Sequence, residues 1–210
     1  MKSVLVTGGT VRLGKAISER LAADGWRVVT SSHRPEAGAD ITADLSADGG
    51  VERLFSECAR LLGGMAPDAL VNNAAVFDGD AGTIRRVNFE APAALVRLMA
   101  ASGCGRSVVN IVDSGVFAQG AGAYIESKRE LLRETLAAAR RNAGSLRVNA
   151  VAPGPVFPPP GTHVKAPPTP FGRPTAEAVA LAVSFFLSSG FVSGQTLCVD
   201  GGATLADLNA

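Results

Sequence analysis

Apolar runs that read as strands alternate with amphipathic runs that read as helices along the whole chain, and this alternation restricts the possible folds more than any other feature of the sequence. The strand candidates are Ser3–Val6, Arg27–Ser31, a weaker Ile41–Ala43, Asp68–Val71, Ser107–Val112, Leu146–Val151 and Thr196–Val199. Among the helix candidates, Leu13–Ala23 sets Leu13, Ile17 and Leu21 on one face, and Val51–Leu62 carries the stripe Val51, Leu54, Phe55, Cys58, Leu61 and Leu62. Thr83–Ala101, Ala123–Asn142 and Thr175–Ser188 complete the helices. Ala123–Asn142 is expected to hold Lys128, Arg129, Glu130, Arg133 and Glu134 on its outer surface. Near-continuous apolar strands separated by helices of about 10–20 residues imply a parallel sheet covered on both faces. No repeat or linker interrupts the pattern, so residues 1–210 read as a single domain. One stretch stands apart: Pro153–Pro174 holds nine of the twelve prolines. It cannot be helix or central strand, and a loop of this length in a compact domain is more often functional than a rigid surface excursion.

A net charge of +1 gives no reason to expect nucleic acid as a partner. No apolar run approaches the roughly 18 residues of a membrane span, and the start lacks the pattern of a secretory signal. A cytoplasmic location is therefore expected. Cys58, Cys104 and Cys198 are odd in number and sit among apolar neighbours, so they read as buried thiols in a reducing compartment. His33 and His163 have no metal-ligand spacing, and no metal site is expected.

Chemistry begins at "TGGTVRLG", Thr7–Gly14, between the first strand and the first helix. A glycine-rich turn that opens a helix offers free N–H groups and the positive end of a dipole to an anion. Gly8, Arg12, Leu13 and Gly14 are the candidate contacts. Just past the second strand lies Arg34, where an acidic residue would bond the ribose 2′-hydroxyl of NAD; arginine suits the 2′-phosphate of NADP. His33 either assists by hydrogen bonding or simply ends the strand. After the third strand, Asp44 and Leu45 fall where a carboxylate meets the adenine amino group.

These motifs resemble those of the short-chain dehydrogenase/reductase family over almost the whole chain. "TGGTVRLG" is similar to TGxxxGxG, "NNAA" (Asn72–Ala75) to NNAG, "YIESK" (Tyr124–Lys128) to YxxxK, "APG" (Ala152–Gly154) to the turn after the sixth strand, and "VDGG" (Val199–Gly202) to the C-terminal signature. The resemblance implies one doubly wound α/β Rossmann domain, a seven-stranded parallel sheet in the order 3-2-1-4-5-6-7 with helices on both faces. It adds Asn73, Ala74, Pro153, Gly154 and Val156 to the cofactor contacts, and NADPH as the cofactor. The departures resemble pteridine reductases: Arg12 in the first turn, "HR" at His33-Arg34, "ADLS" at Ala43–Ser46, Phe77 after "NNAAV", and Asp113 where most members carry a serine. Arg12 can fold over the pyrophosphate or reach the substrate, supplying a planar donor fork in place of backbone access.

Tyr124 and Lys128 are one helical turn apart and share a face. A nearby ammonium stabilises a phenolate, so Lys128 is expected to make Tyr124 more acidic and also to bond the nicotinamide ribose. The resemblance implies that Tyr124 and Asp113 share proton delivery, that Asn88 positions Lys128 through a water, and that Arg12, Phe77, Asp113, Tyr124 and Phe157 meet the substrate. Ser114 offers an alternative hydroxyl partner for Tyr124, but Asp113 directly follows an apolar strand, at the edge of the sheet where ligands bind. The expected function is an NADPH-dependent reductase of a pterin. The rivals are a carbonyl reductase acting on a ketone or 3-oxoacyl thioester, and a dinucleotide-binding sensor without turnover. The family resemblance implies a homotetramer built on the two long helices. The resemblance makes the proline-rich loop, 153–174, a lid over substrate; that loop and the segment from Asn73 to Val87 are shorter than in the family, which implies a more open pocket.

Overall fold

In the computed structural model, residues 1–104, 106–118, 122–158 and 169–206 are described. Part of the expected lid, 159–168 with His163 and Lys165, lies outside the described residues. Seven parallel strands form one sheet in the order β3-β2-β1-β4-β5-β6-β7. They are β1 (Ser3–Thr7), β2 (Arg27–Ser32), β3 (Ile41–Thr42), β4 (Ala69–Asn72), β5 (Ser107–Ile111), β6 (Arg147–Pro153) and β7 (Thr196–Val199). The helices are α1 (Arg12–Ala23), α2 (Gly50–Leu61), α3 (Ala81–Arg85), α4 (Ala91–Ser102), α5 (Ala123–Arg141), α6 (Ala176–Ser188) and the short α7 (Ala203–Ala206).

Side chains of a strand alternate between faces, and β1 divides accordingly. Leu5 joins one core with Leu54 and Cys58 of α2, Leu95 and Met99 of α4, and Ala138 of α5. Val4 and Val6 join the other with Ile17 and Leu21 of α1 and Val179, Val183 and Phe186 of α6. Both faces of the central strands are thus sealed, which is why their sequences are apolar throughout.

Three expectations are corrected. The long helix expected over Thr83–Ala101 is interrupted: a π-helical turn, Arg86–Glu90, separates α3 from α4. Pro92 has no N–H to give the Asn88 carbonyl one turn earlier, and the backbone opens just before it, Ala91 N–H bonding the Arg86 carbonyl instead. Lys128 is not on the outer surface of α5 but buried at 2% exposure, because it falls on the face that α5 turns to the sheet. Only Cys58 is a buried thiol; Cys104 follows the turn that ends α4, and Cys198 lies on the edge strand β7, so both are exposed.

Two glycines fix the first turn. Gly8 sits at φ +63°, and a Cβ on Gly14 would stand 1.9 Å from the Gly8 carbonyl oxygen. Arg12 is the unusual residue: its φ of +50° is left-handed, and it is the single non-glycine residue with positive φ among the described residues. Such a conformation costs an L-residue about 1–2 kcal/mol. Glycine at position 12 is therefore expected to be more stable than alanine by about 1 kcal/mol, the reverse of their usual helix order. Urea unfolding of Arg12→Gly and Arg12→Ala measures the difference directly.

Candidate active site

The sheet's direction of growth reverses between β1 and β4, and the crevice above that reversal is where an open α/β sheet binds ligands. Thr7, ending β1, accepts hydrogen bonds at Oγ1 from the backbone N–H groups of Asn73 and Ala74, both at 3.0 Å. Asn73 donates from Nδ2 to the carbonyls of Thr7 and Gly8, each at 3.0 Å. Asn73 and Ala74 were expected to touch a cofactor; these particular groups are instead spent on tying the turn to β4. The Ser18 hydroxyl completes the brace by donating to the Gly9 carbonyl at 2.9 Å.

Inside this braced turn, the Thr10 hydroxyl oxygen is shielded from water and has no hydrogen-bond partner among the described residues. A buried polar atom without a partner is costly unless a ligand satisfies it. With the glycine cradle at Gly8 and Gly14 and the N-terminus of α1, it fits the phosphates of a dinucleotide. Sequence reasoning passed over Thr10; a hydroxyl inside a phosphate-type turn was the available signal.

At the end of β2, the Arg34 Nε donates to His33 Nε2 at 3.3 Å, leaving an exposed basic pair suited to a phosphate. Asp44 accepts from the Ser46 N–H (2.8 Å) and hydroxyl (2.6 Å), and these bonds hold its carboxyl below its usual range. Leu45 packs partly against the core. Beyond β6, a Cβ on Gly154 would lie 2.8 Å from Asp200 Cα, so "APG" and "VDGG" are two sides of one close approach. Val156 N–H donates to the Gly154 carbonyl at 2.8 Å.

Arg12 reaches away from the turn. Its guanidinium lies 4.9 Å from the centroid of the Phe157 ring and donates to the Pro158 carbonyl at 2.9 Å. Two of the expected substrate residues, Arg12 and Phe157, are thereby joined. They border an open cavity of about 500 Å3 between the starts of α1 and α6, with Lys15, Val156 and Arg173 also lining it. Neither Tyr124 nor Asp113 lines that cavity.

The other expected residues converge at the start of α5. The Tyr124 hydroxyl donates to Asp113 Oδ2 at 3.2 Å, and Asp113 Oδ1 accepts the Gly115 N–H at 2.8 Å. Asp113, not Ser114, is thus the partner of the phenol. Phe77 stacks on the Tyr124 ring, centroids 4.6 Å apart and 26° between planes, while remaining half exposed. Lys128 Nζ donates to the Ile111 carbonyl at 2.9 Å and lies 5.8 Å from the centroid of the tyrosine ring.

This geometry corrects the expected effect of Lys128 on Tyr124. Burial first, and then the Asp113 charge and hydrogen bond, raise the phenol above its usual value. Burial lowers the Lys128 ammonium to about 8, against a smaller opposing pull from Asp113. Asn88, fully buried in the π turn, exchanges hydrogen bonds with the Val76 backbone and donates to Ser127 Oγ at 3.1 Å. Ser127 in turn donates to the Tyr124 carbonyl at 2.6 Å. The asparagine therefore holds the first turn of α5 through Ser127. Sequence reasoning missed Ser127, whose buried neighbours are distant in the chain.

A buried cation whose folded value lies below its unfolded value of 10.5 destabilises the fold at neutral pH, here on the order of 3 kcal/mol. The penalty fades as pH rises through 8 towards 10.5, because the unfolded chain then also loses its proton. Lys128→Met is accordingly expected to be more stable than the parent protein at pH 7, with an advantage that shrinks over that window. Denaturant midpoints of the two proteins across pH test it.

Comparison with known proteins bears on the family and the fold. A family model described as enoyl-(acyl carrier protein) reductase matches residues 11–204. Glucose 1-dehydrogenase 2 of Bacillus subtilis is 30% identical over 97% of this chain and 95% of its own length. The structure of FolM alternative dihydrofolate reductase 1 from Brucella canis, complexed with NADP, superposes with a TM-score of 0.86 at 28% identity, covering 97% of this chain and 94% of that one. The 3-alpha-hydroxysteroid dehydrogenase from Pseudomonas sp. B-0831, complexed with NADH, also gives 0.86, at 26% identity and full coverage of both chains. The chain belongs to the short-chain dehydrogenase/reductase family.

Proposed function

We propose that this oxidoreductase reduces a pterin-like heterocycle with NADPH. The observation that carries the reading is the trio at the start of α5: a phenol bonded to a carboxylate, with an aromatic ring stacked beside it. A flat heterocycle can lie on the exposed side of Phe77. Its ring nitrogen, left negative when the neighbouring carbon is reduced, needs a proton at close range, and Tyr124 with Asp113 is placed to provide it. The likeness to a dihydrofolate-reducing enzyme complexed with NADP supports both the substrate class and the cofactor.

NADPH supplies the hydride when bound. Gly8, Thr10 and Gly14 would hold its pyrophosphate end, Arg34 and His33 its 2′-phosphate, Asp44 the adenine side, and Lys128 the nicotinamide ribose. Arg12 is drawn towards Phe157 and Pro158, so it would border both substrate and phosphate from the lid side.

A second reading, reduction of a carbonyl, draws on the glucose dehydrogenase relative and on the sufficiency of a tyrosine for protonating an alkoxide. NADPH oxidation measured with dihydropterins, quinonoid pterins, ketones and acyl thioesters separates the two. The pterin reading expects the highest kcat/KM with a dihydropterin, and expects Phe77→Ala to weaken that substrate at least tenfold more than a ketone. Faster turnover of ketones would replace it with the carbonyl reading. In Arg34→Asp, loss of one charge-assisted phosphate contact should reduce the preference for NADPH over NADH by about tenfold or more. An unchanged ratio of the two cofactors' kcat/KM would remove Arg34 from the 2′-phosphate site.

A further inference from the structure

Three buried polar side chains form a hydrogen-bonded chain across the sheet, just inside its ligand-binding edge. Asn72 ends β4, Asn110 is the last but one residue of β5, and the two are register partners. Asn72 Nδ2 donates to Asn110 Oδ1 at 2.8 Å. Asn110 Nδ2 donates to Thr135 Oγ1 of α5 at 2.9 Å, and the Thr135 hydroxyl donates to the Leu131 carbonyl, one turn back, at 2.8 Å. Asn72 is 2% exposed, and Asn110 and Thr135 are fully buried. The threonine sets the polarity of this chain: its proton is committed to Leu131, so it accepts from Asn110, which accepts from Asn72. The amide oxygen of Asn72 is then left buried with no partner among the described residues.

A polar chain that ends in an unpaired acceptor is a poor way to stabilise a core, because aliphatic side chains of similar size would leave nothing unsatisfied. What a hydrogen bond adds, and apolar packing lacks, is direction. Steric registration is weak around Thr135, since the buried residues Ala138 and Ala139 of α5 and Ala150 and Ala152 of β6 are all small. At its first turn α5 is held by Asn88 through Ser127, and by Lys128 on the Ile111 carbonyl. A helix held at one point can still pivot about it. Thr135 lies two turns beyond Lys128 on the same face, about 10 Å along the axis, and its bond to β5 supplies a second point. We propose that Asn110 and Thr135 are positioning residues: their hydrogen bond fixes the axis of α5 against β5, and with it the placement of Tyr124 and Lys128 at the crevice. They act through the helix and not on substrate. The inference rests on reading Tyr124 and Lys128 as the reacting end of the site, and is independent of which substrate is reduced. Misplacement of a reacting group by about 1 Å is enough to cost on the order of a hundredfold in rate.

Thr135→Val keeps the shape of the side chain and removes its hydroxyl, whereas Thr135→Ser keeps the hydroxyl and removes a methyl group. With whichever substrate is turned over, Thr135→Val should lower kcat by about tenfold or more while KM for NADPH stays within about threefold, because the proposed phosphate contacts lie beyond β1 and β2. Thr135→Ser should keep kcat within about twofold of the parent. Folded Thr135→Val with the parent's kcat, or equal losses in the two variants, would overturn the proposal. If Thr135→Val does not fold, Thr135→Cys takes its place: a thiol is a weak hydrogen-bonding group, and kcat should lie at least about threefold below that of Thr135→Ser. Parity between those two would overturn it as well. Should no substrate be turned over, hydrogen exchange of residues 123–130 reads the same loosening: exchange faster in Thr135→Val than in Thr135→Ser supports the proposal, and equal exchange removes it. Failure to reduce any pterin would end the pterin reading and leave these comparisons intact.

Discussion

Everything in the crevice depends on the tie between the ends of β1 and β4. The two strands are neighbours in the sheet, yet the connections leaving them travel in opposite directions across it. That divergence opens a gap, and the hydrogen bonds from Asn73 to Thr7 and Gly8 set its floor. Without them the Gly8 turn would have unpaired carbonyls beside a helix N-terminus, and the backbone N–H groups offered to an anion would have no fixed direction. The same brace places the chain that follows Asn73. Val76 is clasped by Asn88, and Phe77 is thereby delivered to the ring of Tyr124. A contact at one sheet position thus propagates to the far wall of the site through bonds that can be named one by one.

Much of the fold was legible because it rests on patterns a linear sequence carries. Apolar continuity identified all seven strands, and the periodicity of Ile17 and Leu21 or of Leu54 and Cys58 identified the faces that seal the sheet. The motifs led to the residues that meet around Tyr124. What the sequence did not carry was the environment of each group. Tyrosine and lysine four apart on a helix share a face, and from that alone the amine should acidify the phenol. The Ile111 carbonyl, brought in by β5, takes the amine instead, and Asp113 takes the hydroxyl. Exposure of Cys198 was hidden for a related reason: an apolar strand reads the same at the centre of a sheet and at its edge. The π turn at Asn88 needed the consequence of Pro92 to be worked through one turn upstream.

The departures from regular structure are not scattered. Arg12 holds a left-handed backbone, the Thr10 hydroxyl has no partner among the described residues, Lys128 is a buried cation, and the π turn around Asn88 breaks a helix that would otherwise be continuous. All four lie along the crevice. The two cores on either face of the sheet, by contrast, are built mainly from aliphatic side chains on regular strands and helices. Such strain persists only where surrounding structure over-determines it, and the sealed sheet supplies that rigidity. Lys128 shows the logic most plainly. An apolar residue at that position would let α5 pack against β5 at lower cost, yet an amine is kept there with a single carbonyl to bond. Its burial makes sense if a second set of acceptors arrives with a ligand and completes the shell that the protein leaves unfinished. The unpartnered oxygen of Thr10, in the turn after β1, makes the same demand. Two incomplete polar shells, one in the turn after β1 and one on α5, are what an extended, oxygen-rich molecule would satisfy together.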